Sequence, residues 1–235
     1  MSRLRVACRL PGAALLPDLR TRATDGELLD AELPATEVRK SLADLRFVNR
    51  WLSGRSGLLR AVTPHLPAHG RLLDVGCASG DVAAYLSARL ARPVFTVGVD
   101  VKPLHLREAP PVVRRVAADA SRLPFPDGSF DVVTASLFLH HFDEAELGRL
   151  LRELARVARR AIVVSDLERA MVPFVFARAV FPFVFATGVS VHDGLVSIRR
   201  GFREPELRAA FAAAGLGVTI RRQFPYRLLA VAALQ

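Results

Sequence analysis

The sequence predicts an α/β protein with a seven-stranded, mostly parallel sheet, an N-terminal helical cap and an inserted hydrophobic lid. Three observations support this fold class. From Gly70 onward, short apolar segments alternate with amphipathic helical segments, which is typical of a parallel sheet covered on both faces. A glycine turn, Gly76 to Gly80, joins the first strand to its helix. Polar or acidic residues end several strands, at the edge where open parallel sheets bind ligands.

The N-terminal part of the chain divides into a leader and a cap. Residues 1–35 carry scattered Arg and Pro with weak periodicity, so we expect a flexible or loosely docked leader. Residues 36–66 form the predicted helical cap. Its first helix is expected from Thr36, the predicted N-cap, to about residue 51, and its second over 57–62.

Residues 67–235 contain the predicted sheet domain. Its strands are expected at 72–75, 94–99, 112–117, 131–136, 161–164, 216–222 and 226–233. Its helices are expected at 81–90, 144–157 and 206–214. The middle helix begins with a capping box, because Glu146 follows Asp143 by three positions.

Residues 167–200 interrupt the alternation and form the predicted lid. The stretch 171–186 holds five of the fourteen phenylalanines and a single charge, Arg178. We do not expect a membrane-spanning helix, because Pro173, Pro182 and Arg178 interrupt the apolar run. An apolar lid over a ligand pocket fits this composition, and peripheral contact with a membrane surface is a second interpretation.

Composition restricts the partners and the compartment. The net charge of +10 comes almost wholly from arginine, since Lys40 and Lys102 are the only lysines. The arginines are spread over many segments instead of forming one basic stripe, so we do not expect a nucleic-acid partner. Two cysteines, Cys8 and Cys77, are too few for a disulfide framework, and no signal peptide is expected. We expect a cytoplasmic protein, with peripheral membrane association as the alternative.

The glycine turn favours a nucleotide-bearing cofactor. Gly76 and Gly80 let the backbone bend sharply and approach a ligand, and the following helix presents free N–H groups to it. Asp100 follows Gly80 by 20 positions, the spacing at which a carboxylate reaches a ribose diol. Polar side chains stand at five strand ends: Asp74, Asp100, Asp119, Ser136 and Asp166.

Three segments resemble those of class I S-adenosylmethionine-dependent methyltransferases of the small-molecule type, similar to the ubiquinone/menaquinone-biosynthesis group. They are the glycine motif at 72–80, the strand Val97-Gly-Val-Asp100, and Asp119 with the stretch 123–133, Leu-Pro-Phe-Pro-Asp-Gly-Ser-Phe-Asp-Val-Val. The last is the most specific. The resemblance runs from about Arg71 to Ser165 and implies a Rossmann-like fold and S-adenosylmethionine as cofactor. Ala78 departs from the pattern, because the family more often has a glycine there, and we expect a narrower turn.

The resemblance also implies the residues that bind the cofactor. The methionine end would lie in a pocket shaped by Asp74, Gly76, Cys77 and Gly80, with Cys77 as an inert small residue. The ribose hydroxyls would bind Asp100, and Val101 would pack on the adenine. The adenine amine would meet Asp119 beside Ala120. The sulfonium would lie near Ser136.

Methyl transfer requires alignment of the acceptor and, for a hydroxyl or an acidic carbon, removal of a proton. Histidine has a suitable pKa for that step. His140 and His141 follow the fourth strand, where the family places substrate-facing residues. We favour His141 as the base, with His140 and His192 as further candidates and a purely structural hydrogen bond as the alternative for each. No metal is expected, because no cluster in the sequence has ligand spacing.

The predicted function is therefore methyl transfer from S-adenosylmethionine to an oxygen or carbon of a lipophilic small molecule. A phenolic polyketide, a phenolic lipid or a quinone precursor would suit the Phe-rich lid. Two alternatives stay open. One is an RNA methyltransferase, suggested by the positive charge, and the other is a non-catalytic cofactor-binding or membrane-docking module.

Overall fold

The computed structural model describes residues 17–52 and 54–234. These residues form one seven-stranded sheet with helices on both faces. The strands are β1 Arg71–Val75, β2 Phe95–Asp100, β3 Arg114–Ala117, β4 Phe130–Ser136, β5 Ala158–Leu167, β6 Thr219–Gln223 and β7 Arg227–Ala233. Their order is β3-β2-β1-β4-β5-β7-β6, and only β7 runs antiparallel to its neighbours among the described pairings. The predicted Rossmann-like, mostly parallel sheet is confirmed.

Eight α-helices occur in the described part of the chain, together with two 3-10 turns at Leu28–Asp30 and Leu139–His141. The helices are α1 Ala35–Trp51, α2 Arg55–Val62, α3 Asp81–Arg89, α4 Pro103–Leu106, α5 Glu144–Val157, α6 Met171–Val184, α7 Gly188–Arg200 and α8 Glu204–Ala213. The short helix α4 was not predicted.

The two predicted helix starts have different outcomes. The capping box of α5 is present, because the Asp143 carboxylate accepts from the Glu146 backbone N–H at 2.8 Å and the Glu146 carboxylate accepts from the Asp143 N–H at 3.0 Å. Thr36, in contrast, is not the N-cap of α1. The helix begins one residue earlier after Pro34, whose carbonyl accepts the first helical hydrogen bonds, so no side-chain cap is used.

Alternate residues of the central strands face opposite sides of the sheet, as the two-residue period of a strand requires. In β1, Leu73 packs in a core with α5 and α8, whereas Leu72 packs in a core with α2 and α3. In β4, Val133 and Val132 divide in the same way. Both faces are therefore buried, which explains the nearly continuous apolar strands.

The topology opens a crevice at the carboxyl ends of the central strands. β1 lies between β2 and β4, and Val75 at its end pairs with Val99 on one side and Ala135 on the other. The chain runs from β1 outward to β2 and β3 and then crosses back to β4 on the other side of β1, so the strand order reverses here, and such a reversal is where open α/β sheets bind ligands.

The predicted lid consists of α6 and α7. Phe174, Ala177 and Phe181 of α6 are buried with Ile198 of α7, whereas Phe183 is 87% exposed. Across the described residues, no helix combines the length and the apolar character needed to cross a membrane.

Residues 17–34, which we call the strap, lie against the lid and the sheet edge. Leu19 is buried among the lid residues, and its carbonyl accepts from Arg169 Nε at 3.0 Å. Asp193 of α7 accepts from the backbone N–H groups of Leu28 and Leu29 at 2.7 and 2.9 Å.

The strap is part of the predicted leader, and these contacts dock it on the rest of the protein. A loosely docked segment was predicted through residue 35 because its sequence has no helical or strand periodicity. The segment is instead held by polar side chains that are distant in sequence, and such contacts leave no periodic signal. Residues 1–16, the rest of the predicted leader, lie outside the described residues.

Candidate active site

A cavity of about 670 Å³ lies at the carboxyl edge of the sheet. Its wall is formed by the strap, α1, the glycine turn after β1, the ends of β2 and β4, both lid helices and the connection from β6 to β7. The volume falls within the range of about 300–1,000 Å³ that is usual for small-molecule sites.

The glycine turn has three residues in the left-handed region. Gly76, Ala78 and Gly80 have φ angles of +66°, +47° and +64°. A Cβ on Gly76 would collide with the ring of Phe138, so glycine is required there on two grounds. Ala78 carries its Cβ in the left-handed region, and its backbone N–H donates to Asp100 Oδ2 at 2.9 Å. The turn tolerates Ala78 at the cost of local strain.

Two buried carboxylates stand beside this turn. Asp74 Oδ1 accepts from the Thr134 hydroxyl at 2.8 Å, and burial raises the pKa of Asp74 to about 7. Asp81, at the start of α3, accepts at Oδ1 from Asn49 Nδ2 at 3.1 Å, and burial raises its pKa as well. Asp81 Oδ2 is buried without a hydrogen-bond partner. Asp74 lines the cavity and fits the cationic methionine end of S-adenosylmethionine, whereas Asp81, which was not among the predicted binding residues, does not line it.

The end of β2 and the loop after β3 form the neighbouring wall of the cavity. Asp100 is buried, and its Oδ1 also accepts from the Lys102 N–H at 2.8 Å. Val101 is 67% exposed, as expected for a side chain that would pack on a ligand ring. Asp119 is exposed, with Oδ1 accepting from Ser121, and Ala120 beside it is buried.

Eight of the nine predicted cofactor residues line the cavity: Asp74, Gly76, Cys77, Asp100, Val101, Asp119, Ala120 and Ser136. Gly80 does not line it, because it closes the turn as the N-cap of α3 and faces Ala109. Cys77 is a free, buried thiol, and burial raises its pKa, which suits an inert role. Cys8 lies outside the described residues.

His140 is held between two carboxylates. Its Nδ1 lies 2.7 Å from Asp166 Oδ1, and its Nε2 lies 3.2 Å from Glu27 Oε1. Burial opposes the charged form, but Asp166 and Glu27 outweigh it and raise the pKa of His140 to about 9. An imidazolium with both nitrogens engaged does not accept a proton at neutral pH. With a carboxylate at each ring nitrogen, the geometry favours His141 over His140 as the base, and the assignment stays a prediction.

His141 is more accessible. Its ring stacks on that of His140 with 4.5 Å between centroids, its Nδ1 lies 3.1 Å from Asp30 Oδ2, and its Nε2 lies 3.7 Å from Glu27 Oε2. It lines the cavity together with Glu27 and Asp30. Of the three candidate histidines, His141 alone combines access to the cavity with one loosely engaged nitrogen.

His192 is not part of the cavity wall. Its side chain is 40% exposed, and its Nδ1 lies 3.0 Å from Asp193 Oδ1. The neighbouring Asp193 lines the cavity and anchors the strap. Since His192 does not line the cavity, the geometry does not favour it as the base.

The strap brings Glu27 and Asp30 to the histidines, and neither residue was among the predicted site residues. Glu27 lies 113 positions from His140, and nothing in its local sequence marks it as part of a site. The burial of Glu27 opposes its charge, but His140 and His141 lower its pKa, so it is a carboxylate at neutral pH.

The fold and the cavity define a Rossmann-like, cofactor-binding α/β domain. Residues 73–165 match the family model described as "Methyltransferase domain". These residues are therefore similar to a methyltransferase domain. The predicted resemblance to methyltransferases is confirmed for residues 73–165, whereas the activity and the cofactor of the whole chain are proposals.

Two curated proteins and one solved structure illustrate the relationship. Demethylmenaquinone methyltransferase of Roseiflexus sp. (strain RS-1) is 37% identical over 109 residues, which are 44% of this chain and 44% of that protein. The 27-O-demethylrifamycin SV methyltransferase of Amycolatopsis mediterranei is 37% identical over 103 residues, 40% of this chain and 36% of that protein. The chain thus spans less than half the length of these relatives. A SAM-dependent methyltransferase from Aquifex aeolicus shares the fold, with a TM-score of 0.62 and 19% identity over 87% of this chain and 100% of that one.

Proposed function

We propose that this protein transfers a methyl group from S-adenosylmethionine to an oxygen or an acidic carbon of a lipophilic small molecule. One observation carries the proposal: a single cavity is lined both by the glycine turn and by the phenyl rings of the lid. Relatives named for demethylmenaquinone and for demethylrifamycin support the same class of acceptor.

The cofactor end of the cavity is proposed to bind and orient S-adenosylmethionine. When bound, the cofactor supplies the activated methyl group. Asp74 holds its ammonium group, Asp100 holds its ribose hydroxyls, and Asp119 accepts from its adenine amine. These residues would act by position and charge, because the positively charged sulfonium of the bound cofactor already activates the methyl group.

The acceptor end is apolar. Phenyl rings line it. Phe138 and Phe142 come from the loop after β4, and Phe176, Phe181 and Phe185 come from α6 and its C-cap. Aromatic walls favour a planar or lipophilic acceptor, since burial of apolar surface contributes roughly 25 cal/mol of binding free energy per Å² removed from water. A phenol, a quinol or a phenolic lipid matches this lining better than a charged or highly polar acceptor.

The proton of the acceptor is proposed to pass to His141. Asp30 accepts from Nδ1–H, which leaves the Nε2 lone pair for the acceptor hydroxyl. As the oxygen bonds to the methyl carbon, the carbon–sulfur bond of the bound cofactor would break with its electron pair going to sulfur, and the O–H proton would move to Nε2. Asp30 stabilises the resulting imidazolium.

The acceptor's lipophilicity and the exposed apolar side chains of the lid favour peripheral contact with a membrane as a further proposal. Phe183 is 87% exposed, and Val172, Val175 and Phe176 of the same helix are also exposed. Phe224, 91% exposed, follows β6. A lipid surface covers such side chains and also delivers a lipophilic acceptor.

A methyl-transfer assay with labelled S-adenosylmethionine tests the function. The expected result is label in lipophilic phenols or quinols and none in bulk RNA. His192→Ala is the matched control for the histidines, since its side chain lies outside the cavity. Label in RNA alone would overturn the proposal, as would an absence of transfer to every phenol and quinol by protein that binds the cofactor.

A further inference from the structure

We propose that Glu27, His140 and His141 form a binding site for a divalent transition-metal ion such as Zn²⁺ or Co²⁺. One ligand atom from each residue lies within 4.8 Å of the others. The two imidazole Nε2 atoms face opposite oxygens of the Glu27 carboxylate, at 3.2 and 3.7 Å. Two histidine nitrogens and one carboxylate are a donor set that zinc and its neighbours prefer in proteins.

Both histidines are oriented as metal ligands usually are. A histidine that binds a metal through one nitrogen generally donates its other N–H to a carboxylate, which fixes the ring. His140 Nδ1 lies 2.7 Å from Asp166, and His141 Nδ1 lies 3.1 Å from Asp30. The same arrangement thus occurs twice around Glu27.

Charge balance supports a cation at the centre of this cluster. If each Nδ1–H donates to its own carboxylate, each Nε2 presents a lone pair toward Glu27. Lone pairs and a carboxylate at these separations repel each other unless a positive charge lies among them. Protons on the Nε2 atoms or a metal ion can supply that charge, and the two compete for the same place.

The strap holds the carboxylate ligand in position. Asp193 accepts from the N–H groups of Leu28 and Leu29, directly after Glu27. Lys102 Nζ donates to the Leu29 carbonyl at 2.7 Å, and the Ser197 hydroxyl donates to Glu27 itself. A ligand from a remote segment is therefore as well fixed as those from the sheet edge.

The site faces the cavity. All three ligand residues line it, and three protein ligands leave one position of a tetrahedral ion open. A hydroxyl oxygen bound at this position loses its proton more readily, because the ion stabilises the alkoxide or phenolate. In the metal-loaded protein, His141 is a ligand and not the base, and the proton of the bound hydroxyl passes to solvent water. That extension rests on the proposed function, whereas metal binding itself does not.

Metal titration tests the site. Protein without a polyhistidine tag is treated with a chelator, dialysed, and titrated with ZnCl₂ by calorimetry and with CoCl₂ by visible absorption. We expect about one equivalent to bind, with the intense visible bands of low-coordinate Co²⁺. Glu27→Gln, which removes a ligand charge, should abolish this site, and Asp30→Asn should weaken it by about 10- to 100-fold.

Two controls make the outcome decisive. His192→Ala removes a surface histidine with its own carboxylate neighbour and should leave the affinity unchanged. Circular dichroism of Glu27→Gln separates loss of a ligand from loss of the fold, and Asp30→Asn keeps the three ligands intact. The proposal is overturned if the wild type binds neither ion, or if Glu27→Gln binds as tightly as the wild type. Metal binding without methyl transfer would refute the proposed function alone, and transfer without metal binding would refute the metal site alone.

Discussion

The cofactor end and the acceptor end of the cavity are built in different ways. The cofactor end consists mainly of backbone turns and strand ends, and residues 74–78 supply four of its lining residues within one connection. The acceptor end is assembled from the strap, the loop after β4 and the lid, with Glu27 and His140 separated by 113 positions.

This difference separates a general task from a specific one. A sulfonium cofactor needs the same turn and the same carboxylates whatever the acceptor, so local backbone geometry suffices. The acceptor pocket must match one molecule, and its side chains come from whichever segments reach it. Changes at one end should therefore leave the other end working, and the following experiments test that separation.

The largest effect is expected from His141→Ala at the acceptor end. Loss of the proton acceptor, or of one metal ligand, should lower kcat by about 10²- to 10⁴-fold. The affinity for S-adenosylmethionine should stay within about twofold, since His141 is not part of the glycine turn. Steady-state kinetics measures kcat, and calorimetry measures the affinity. Equal losses in both would contradict the independence of the two ends of the cavity.

The pH dependence of stability probes the cofactor end. The pKa of Asp74 is about 7 in the folded protein against 3.8 for an unperturbed aspartate, so folding stabilises its neutral form. This stabilisation is complete below the unfolded pKa and is lost as the pH rises through 7, in total about 4 kcal/mol at 1.36 kcal/mol per unit. Asp74→Asn should therefore gain up to about 4 kcal/mol on the wild type between pH 4 and pH 8, measured by denaturant unfolding. A difference that is independent of pH would contradict the burial of this carboxyl.

The strap should loosen when its anchor is removed. Asp193→Asn weakens two charge-assisted hydrogen bonds to Leu28 and Leu29, each worth about 1.5–3 kcal/mol. Proteolysis within residues 17–34 should accelerate while cofactor affinity stays the same. His192→Ala, one position away, is the control, and equal acceleration in both variants would argue against Asp193 as the anchor.

A smaller effect is expected for membrane contact. Phe183→Ser removes the most exposed ring of the lid and should reduce co-sedimentation with anionic phospholipid vesicles by about tenfold, as expected for one apolar side chain of about 1.5–3 kcal/mol. Stability should not change, because the ring is not buried. Undiminished vesicle binding would show that the exposed face of the lid does not contact the membrane.

The smallest effect is expected at Ala78. Glycine adopts the left-handed conformation without the Cβ clash, so Ala78→Gly should stabilise the fold by about 0.5–1 kcal/mol, the strain released less the added chain entropy. Thermal unfolding measures the change. Destabilisation would show that the turn does not strain the alanine.

The two ends also differ in what the sequence could predict. The sheet was predictable because apolar strands alternate with helices. The glycine turn was predictable because glycine is the residue that adopts positive φ angles most readily, as Gly76 and Gly80 do. The extension of β5 beyond residue 164 was not, since Ser165 and Asp166 look like the start of a loop but pair with β7. Glu27 was not predictable because its partners, His140 and Ser197, are joined to it only in three dimensions. The roles of the residues that line the cavity stay predictions.

The measurement that tests the central claim most directly is a calorimetric titration with S-adenosylmethionine of the wild type and of two matched acid-to-amide variants. Asp100→Asn changes the cofactor end, and Glu27→Gln changes the acceptor end by the same chemistry. The account predicts that Asp100→Asn weakens binding by about 10- to 100-fold, as expected for a charged hydrogen-bond partner, and that Glu27→Gln leaves it within about twofold. Equal losses in the two variants, or no binding by the wild type, would contradict it.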